Sequence, residues 1–199
     1  MDMFIARIVD FLARNEAIDR EDAEIYEYGL YFILSDTIDF SLTFLAAFLL
    51  HAVPHTILYY VSFIGLRRCA GGYHASTRMR CFAISMVTWF ISMMFIRLTA
   101  FNTALSIIFA LISFVIIWLY SPVENSNNPH TPDQLARMRK ISQLYVIILV
   151  ITVVAMVVCA PFCIPDWVSS SLAYGMIFFA GSLLLAKALK EKAEKRHTE

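Results

Sequence analysis

The chain has 199 residues, of which 59% are hydrophobic, and its 16 Lys and Arg residues balance its 16 Asp and Glu residues. A soluble domain has about 45–50% apolar residues. Here the apolar residues gather in long runs almost free of charge, so the composition excludes an ordinary water-soluble fold. The net charge of zero favours no class of partner, and four cysteines in such a chain do not indicate a disulfide framework.

The N-terminal segment, residues 1–28, is polar and precedes the first apolar run. Charged residues interrupt its first turns, so it does not look like a cleaved secretory signal. A helical stripe of apolar residues runs through its first half: Phe4, Ile8, Phe11 and Leu12. This stripe predicts an amphipathic helix that lies on the membrane surface or packs against the rest of the protein.

Six apolar runs follow in the chain. Five are long enough or nearly long enough to cross a membrane as helices: 30–50, 82–96, 101–120, 141–160 and 167–186. The sixth, 52–66, reaches only ~22 Å at ~1.5 Å per helical residue, against a hydrocarbon core of ~30 Å. We therefore predict one all-α polytopic membrane domain, 1–199, with about six transmembrane helices. The second of these is short enough to thin the bilayer or to be a half-helix buried among the others.

The positions of the Lys and Arg residues predict the orientation of these spans. If all six runs cross, four regions fall on one side: the N-terminal segment, the 67–81 loop, the connection between spans four and five, and the basic tail 187–199. Those regions hold every Lys and Arg except Arg97. The positive-inside rule makes that side cytoplasmic, so both termini and the 67–81 loop are predicted to lie in the cytoplasm.

The 67–81 loop reads RRCAGGYHASTRMRC and contains a histidine and a cysteine seven residues apart. On one continuous helix, His74 and Cys81 would stand ~10 Å apart along the axis, too far for proton transfer. Gly71 and Gly72 argue against such a helix and allow a tight turn. We therefore predict that His74 lies in a folded loop and Cys81 at the entrance to the third span. There, unpaired backbone N–H groups, the helix dipole and nearby arginines favour a thiolate.

The spacing of these residues leaves three interpretations open. His74 and Cys81 form a catalytic pair, or they are a polar loop residue and a small apolar filler. The third interpretation is a zinc site made by Cys69, His74 and Cys81, although this spacing lacks a close cysteine pair.

The run R-R-C-A-G-G-Y-H-A-x5-C closely resembles the signature loop of the accessory gene regulator B (AgrB) family of Gram-positive bacteria. The polar N-terminal segment, the short spans, the Pro/Asn-rich loop after residue 120 and the Lys-rich tail extend the resemblance along the chain. The resemblance implies a membrane cysteine endopeptidase that cleaves the C-terminal tail from a small AgrD-like precursor peptide. The remainder is held as a thioester and then cyclised to a lactone or thiolactone quorum-sensing signal.

Carried onto this sequence, the resemblance makes Cys81 the nucleophile and His74 the general base, while Arg67 and Gly72 match positions that recur in the motif. It also implies a homodimer in the bacterial cytoplasmic membrane, in contact with lipids, with no cofactor, metal or nucleic acid. The positive-inside rule alone explains the arginines of the loop. The resemblance adds a second role for them, because an acidic precursor tail is a partner for guanidinium groups. These residues are Arg67, Arg68, Arg78 and Arg80.

Four further residues are candidates for supporting roles. Gly71 and Gly72 either bring backbone N–H groups toward an oxyanion or supply a turn with positive φ. Asp36 and Asp39 share a helical face within the first span, where carboxylates are costly. One of them is a candidate third catalytic residue. Otherwise the pair lines a groove for the peptide or bonds to neighbouring spans.

Two alternative functions follow from the same residues. A small membrane transporter or exporter would use Asp36 and Asp39 as its ion site and the His–Cys loop only as a gate. A metal-dependent membrane hydrolase is the other alternative.

Overall fold

The computed structural model describes residues 2–72, 78–99, 103–123, 131–159 and 165–198. Within these ranges the chain forms one 3₁₀ turn, Arg20–Asp22, and seven α-helices: α1 (Asp2–Arg14), α2 (Ala23–Leu49), α3 (Val53–Ala70), α4 (Arg78–Thr99), α5 (Thr103–Tyr120), α6 (Pro132–Cys159) and α7 (Asp166–Thr198).

The predicted all-α polytopic membrane fold is confirmed. Five helices of the described residues are long and apolar enough to span a membrane, namely α2, α4, α5, α6 and α7. The predicted short second span corresponds to α3, which is not among these five. Arg67 and Arg68 occupy its last turn, and Thr56 and Ser62 are buried polar residues within it. The number of helices that cross the bilayer therefore depends on α3.

The helices extend beyond several of the predicted boundaries. α3 continues to Ala70 and α4 begins at Arg78, so both ends of the 67–81 loop are helical. α6 begins nine residues before the apolar run 141–160, and α7 continues through most of the basic tail. Charged residues are good helix formers, so a span continues as a helix where it leaves the apolar run.

The described chain divides into two compact units, Met1–His51 and Ala52–Glu199. The expectation of a single domain stays a prediction. In the first unit α1 packs on α2 and buries Ile5 and Val9. Phe4 and Phe11, from the predicted apolar stripe, are 60% and 66% exposed. The helix therefore uses a neighbouring stripe for packing and leaves part of the predicted one uncovered.

In the second unit α7 is the central helix and packs mainly against α3 and α5. Of its most apolar stretch 50% is buried, against 22% in each of α4, α5 and α6. Gly175 brings α7 close to α3, since a Cβ there would overlap the Ser62 hydroxyl and lie 2.7 Å from the Tyr59 carbonyl oxygen. Small residues at such contacts let helices in membranes approach closely.

Hydrogen bonds donated by side chains of α4 and α6 fix these helices to α3. The Trp89 indole donates to the Thr56 hydroxyl at 3.0 Å, and the Tyr145 hydroxyl donates to the Val61 carbonyl at 2.7 Å. Trp89 and Thr56 are fully buried. Buried polar groups without partners are costly, so these bonds favour one arrangement of the three helices.

The distribution of Lys and Arg predicts that four regions lie on the same side of the membrane. Three of them, the 67–81 loop, the connection between spans four and five and the basic tail, lie at one end of the second unit. The end of α3 meets the residues that follow α5 through a bridge between Gly71 and Val123. The Lys187 ammonium of α7 lies 3.9 Å from the Tyr120 ring centroid. Which side of the membrane this end faces, and where the termini lie, stay predictions.

We expect Gly175→Ala to lower the midpoint of thermal unfolding in detergent, because the new methyl group overlaps α3 and overpacking costs about 1–3 kcal/mol. Gly181→Ala is the matched control on the same helix, since no heavy atom lies within 4 Å of its added Cβ. Alanine has a higher helix propensity than glycine by about 0.5–1 kcal/mol, so we expect this control to leave the midpoint of thermal unfolding unchanged or to raise it. Equal shifts for both variants would contradict the close α3–α7 contact.

Candidate active site

Cys81 is the fourth residue of α4 and is half-buried. The first four N–H groups of a helix have no acceptor within the helix, and its N-terminus carries partial positive charge. The cysteine thus lies at the entrance to the span, in the first turn of the helix and at the positive end of its dipole. This is the position that the sequence predicts.

An arginine from a different helix contacts the sulfur of Cys81. The Nη2 group of Arg67, in the last turn of α3, donates to Cys81 Sγ at 3.6 Å. Arg67 is partly buried. An arginine is always protonated in proteins, so this contact places a permanent positive charge beside the sulfur.

Gly71 ends α3 beside this contact. Its N–H donates to the Arg67 carbonyl at 3.1 Å, and its φ is 75°. A backbone N–H already bonded in this way is not free to bind an oxyanion, so the geometry favours the turn role for Gly71. Gly72 also has positive φ, 136°, and lies against Phe179 and Ser182 of α7.

A short strap, Ser121–Val123, holds the end of α3 that carries Arg67. The Val123 N–H donates to the Ala70 carbonyl at 3.1 Å. A Cβ on Gly71 would overlap the Val123 carbonyl oxygen. The strap is itself attached to α6, because the Ser121 and Ser142 hydroxyls are 2.6 Å apart and buried. No residue pattern marks this strap beyond the turn-forming composition of the loop after α5.

The other predicted site residues are distributed as follows. Arg68 and Arg80 are exposed, and Arg78 begins α4. His74 lies in 73–77, outside the described residues, so its role stays a prediction. Asp36 and Asp39 are partly buried on α2, in the first unit. Their roles as third catalytic residue or peptide groove also stay predictions.

α3 contains one further cysteine, Cys69, and one further histidine, His55. Cys69 is half-buried on α3, and burial raises the pKa of its thiol, which favours the unreactive protonated form. His55 lies near the other end of α3, where its ring contacts the Trp167 ring at 4.5 Å between centroids. Neither residue therefore competes for the role given to Cys81 or His74.

The fold and the site define an all-α polytopic membrane protein with a cysteine at a helix N-terminus beside a charged arginine. The family model for accessory gene regulator B matches residues 5–190, and the chain belongs to this family. It is thereby linked to accessory gene regulator quorum sensing.

Similar curated proteins agree with this assignment. The chain is 28% identical to an AgrB-like protein of Clostridium beijerinckii over 60% of each chain. It is 23% identical to AgrB-like protein 1 of Clostridium perfringens, over 71% of this chain and 75% of the relative. With accessory gene regulator protein B of Staphylococcus intermedius it shares 24% identity, over 82% and 83% of the two chains. No solved structure shows a significant match.

We expect Arg67→Gln to slow the alkylation of Cys81 by iodoacetamide at neutral pH about threefold, because the variant removes a permanent positive charge beside the reacting sulfur. A hydrogen bond to a charged group contributes about 1.5 kcal/mol, or about tenfold, but a stabilised thiolate is a weaker nucleophile, which offsets about half of this on the logarithmic scale. Peptide mass spectrometry resolves the modification at each cysteine. Arg68→Gln is the matched control, because it removes the same charge from an exposed neighbour. A control that slows Cys81 alkylation equally would show that general charge, and not the contact, sets the reactivity.

We expect Gly71→Ala to release the end of α3 from the strap, because the methyl group overlaps the Val123 carbonyl oxygen and φ is positive. The backbone conformation of Gly71, with φ 75° and ψ −144°, is essentially restricted to glycine, and such a conformation costs a residue with a Cβ about 1–3 kcal/mol. The readout is the rate of Cys81 alkylation and the unfolding midpoint, with Gly181→Ala as control. A Gly71→Ala protein that matches the control in both measurements would refute the role of the bridge.

Proposed function

We propose that this protein is a membrane cysteine endopeptidase that cleaves the C-terminal tail from a small AgrD-like precursor peptide and promotes cyclisation of the remainder. The observation that carries the proposal is the contact of the Arg67 guanidinium with Cys81 Sγ, 3.6 Å, at the N-terminus of α4. Membership of the accessory gene regulator B family supports the choice of substrate.

In the first step Cys81 Sγ attacks the carbonyl carbon of the scissile peptide bond. The C–N bond breaks, and a base takes the thiol proton and returns it to the leaving amine of the tail. The precursor is then joined to Cys81 as a thioester. His74 is the proposed base. In the sequence it lies two residues after Gly72, and Gly72 packs against Phe179 and Ser182 of α7.

In the second step a thiol or hydroxyl of the bound peptide attacks the thioester carbonyl. The bond to Cys81 Sγ breaks, a lactone or thiolactone ring forms, and the attacking group's proton returns to the enzyme thiol. A thioester retains enough reactivity for this transfer, and holding both ends of one peptide supplies the effective concentration that ring closure needs.

The arginines around Cys81 have separable roles in this proposal. Arg67 contacts the sulfur and stabilises the thiolate both before attack and when it leaves. Arg68 and Arg80 are exposed on α3 and α4, where their guanidinium groups are accessible to carboxylates of the peptide tail. The proposed site needs no metal or cofactor for either step.

The test is the intact mass of the purified protein after incubation with its candidate precursor peptide. We expect an adduct equal in mass to the trimmed peptide minus water for the wild type. Cys81→Ala should form none. His74→Ala should form it at least one hundredfold more slowly, because general-base catalysis contributes typically 10²–10⁴-fold.

Cys69→Ala is the matched control, because it removes a thiol from the same motif and should leave the adduct unchanged. If the wild type binds the precursor but forms no adduct and releases no tail, the peptidase proposal is wrong. Peptide transport that persists in Cys81→Ala and is lost in Asp36→Asn or Asp39→Asn would instead support the transporter.

A further inference from the structure

We propose that a cleft between α5, α6 and α7 binds the headgroup of an anionic phospholipid. The cleft has a volume of about 580 Å³ and lies at the same end of the second unit as Cys81, because Val123 of the strap lines it and also pairs with Gly71 at the end of α3. The residues that carry the argument are Tyr120, Pro122, Val123, Arg139, Lys187 and Lys190.

The charge of the lining favours an anion. The side chains that line the cleft carry three positive charges, from Arg139, Lys187 and Lys190, and one negative charge, from Glu191. Lys187 lies 3.8 Å from the Glu191 carboxylate, with 40% and 60% of the two side chains exposed. An ion pair so exposed is weak. The cleft therefore keeps an excess of positive charge at the mouth of the bundle.

The cleft lies where three apolar runs of the sequence end. Tyr120 is the last residue of α5, Arg139 precedes the apolar run 141–160, and Lys187 directly follows the run 167–186. In a bilayer the headgroup layer begins where an apolar run ends, so the proposal puts the cations of the cleft in this layer. Phosphate groups of anionic lipids lie there and attract basic side chains.

The cleft also has apolar walls, which suit the acyl chains of a lipid. Within it, Pro122, Val123 and Leu135 provide apolar walls beside the cations. Leu184, which lies on the same face of α7 as Lys187, one turn before it, is 38% exposed. A free phosphate ion needs only the cations, whereas a phospholipid uses both surfaces: the phosphate faces the cations and an acyl chain lies along Leu184 and the apolar walls of the cleft.

The full-length protein in a neutral detergent provides the test, with thermal unfolding followed during titration with dihexanoyl phosphatidylglycerol. We expect a saturable rise in the unfolding midpoint that dihexanoyl phosphatidylcholine does not reproduce. In Arg139→Gln/Lys187→Gln/Lys190→Gln the apparent affinity for phosphatidylglycerol should fall at least tenfold. The matched control is Arg137→Gln/Lys140→Gln/Lys192→Gln, which removes three neighbouring charges that do not line the cleft. This control should bind as the wild type does.

The proposal is overturned if the cleft triple variant binds phosphatidylglycerol with wild-type affinity, or if both triple variants lose the same affinity. Inorganic phosphate that produces the full shift at the same concentration would identify a free-anion site and also overturn it. If the cleft triple variant does not fold, the single variant Lys190→Gln replaces it, with Lys192→Gln as control. The expected result is then an affinity at least threefold lower for Lys190→Gln alone.

Discussion

The position of α3 is the constraint on which the candidate site depends. α3 is not among the five candidate spans, yet it packs against α4, α6 and α7 and buries six of its residues. The middle of α3 is fixed by its close contact with Gly175 of α7 and by the hydrogen bond that the Tyr145 hydroxyl donates to the Val61 carbonyl. The bridge from Gly71 to Val123 holds its end. These contacts fix the end of α3 that carries Arg67, so less entropy is lost when its long side chain is held at Cys81.

Features encoded locally in the chain were predictable from the sequence, and features made by distant residues were not. Apolar runs identified the spans, and the position of Cys81 before a span placed it at a helix N-terminus. The contact between Arg67 and Cys81 joins two helices across 14 residues, and the strap joins Ala70 to Val123. Such contacts depend on how helices pack, which neither periodicity nor spacing encodes. The continuation of α3 through Arg67 was likewise missed, because a drop in hydrophobicity marks the end of an apolar run and not of a helix.

The contact with Arg67 also explains why a second residue is needed for the proposed reaction. A guanidinium keeps its proton throughout the pH range of proteins, so Arg67 stabilises a thiolate but cannot carry a proton to the leaving amine. An imidazole changes its charge near neutral pH and can do so. Arg67 and His74 therefore have complementary tasks in the proposal: one holds negative charge on the sulfur, and the other moves the proton between the sulfur and the peptide.

The strap connects the two proposed sites by direct contact. Val123 bonds through its backbone to the end of α3 and also lines the cleft. A headgroup that binds only when the strap is in place stabilises that arrangement by mass action. The same free energy then favours the position of α3 that brings Arg67 to Cys81, because a coupling between two sites acts in both directions. Binding of anionic lipid and formation of the Arg67–Cys81 contact are thus expected to promote each other. Cys81 would then be most reactive when the protein lies in a membrane that contains anionic lipids.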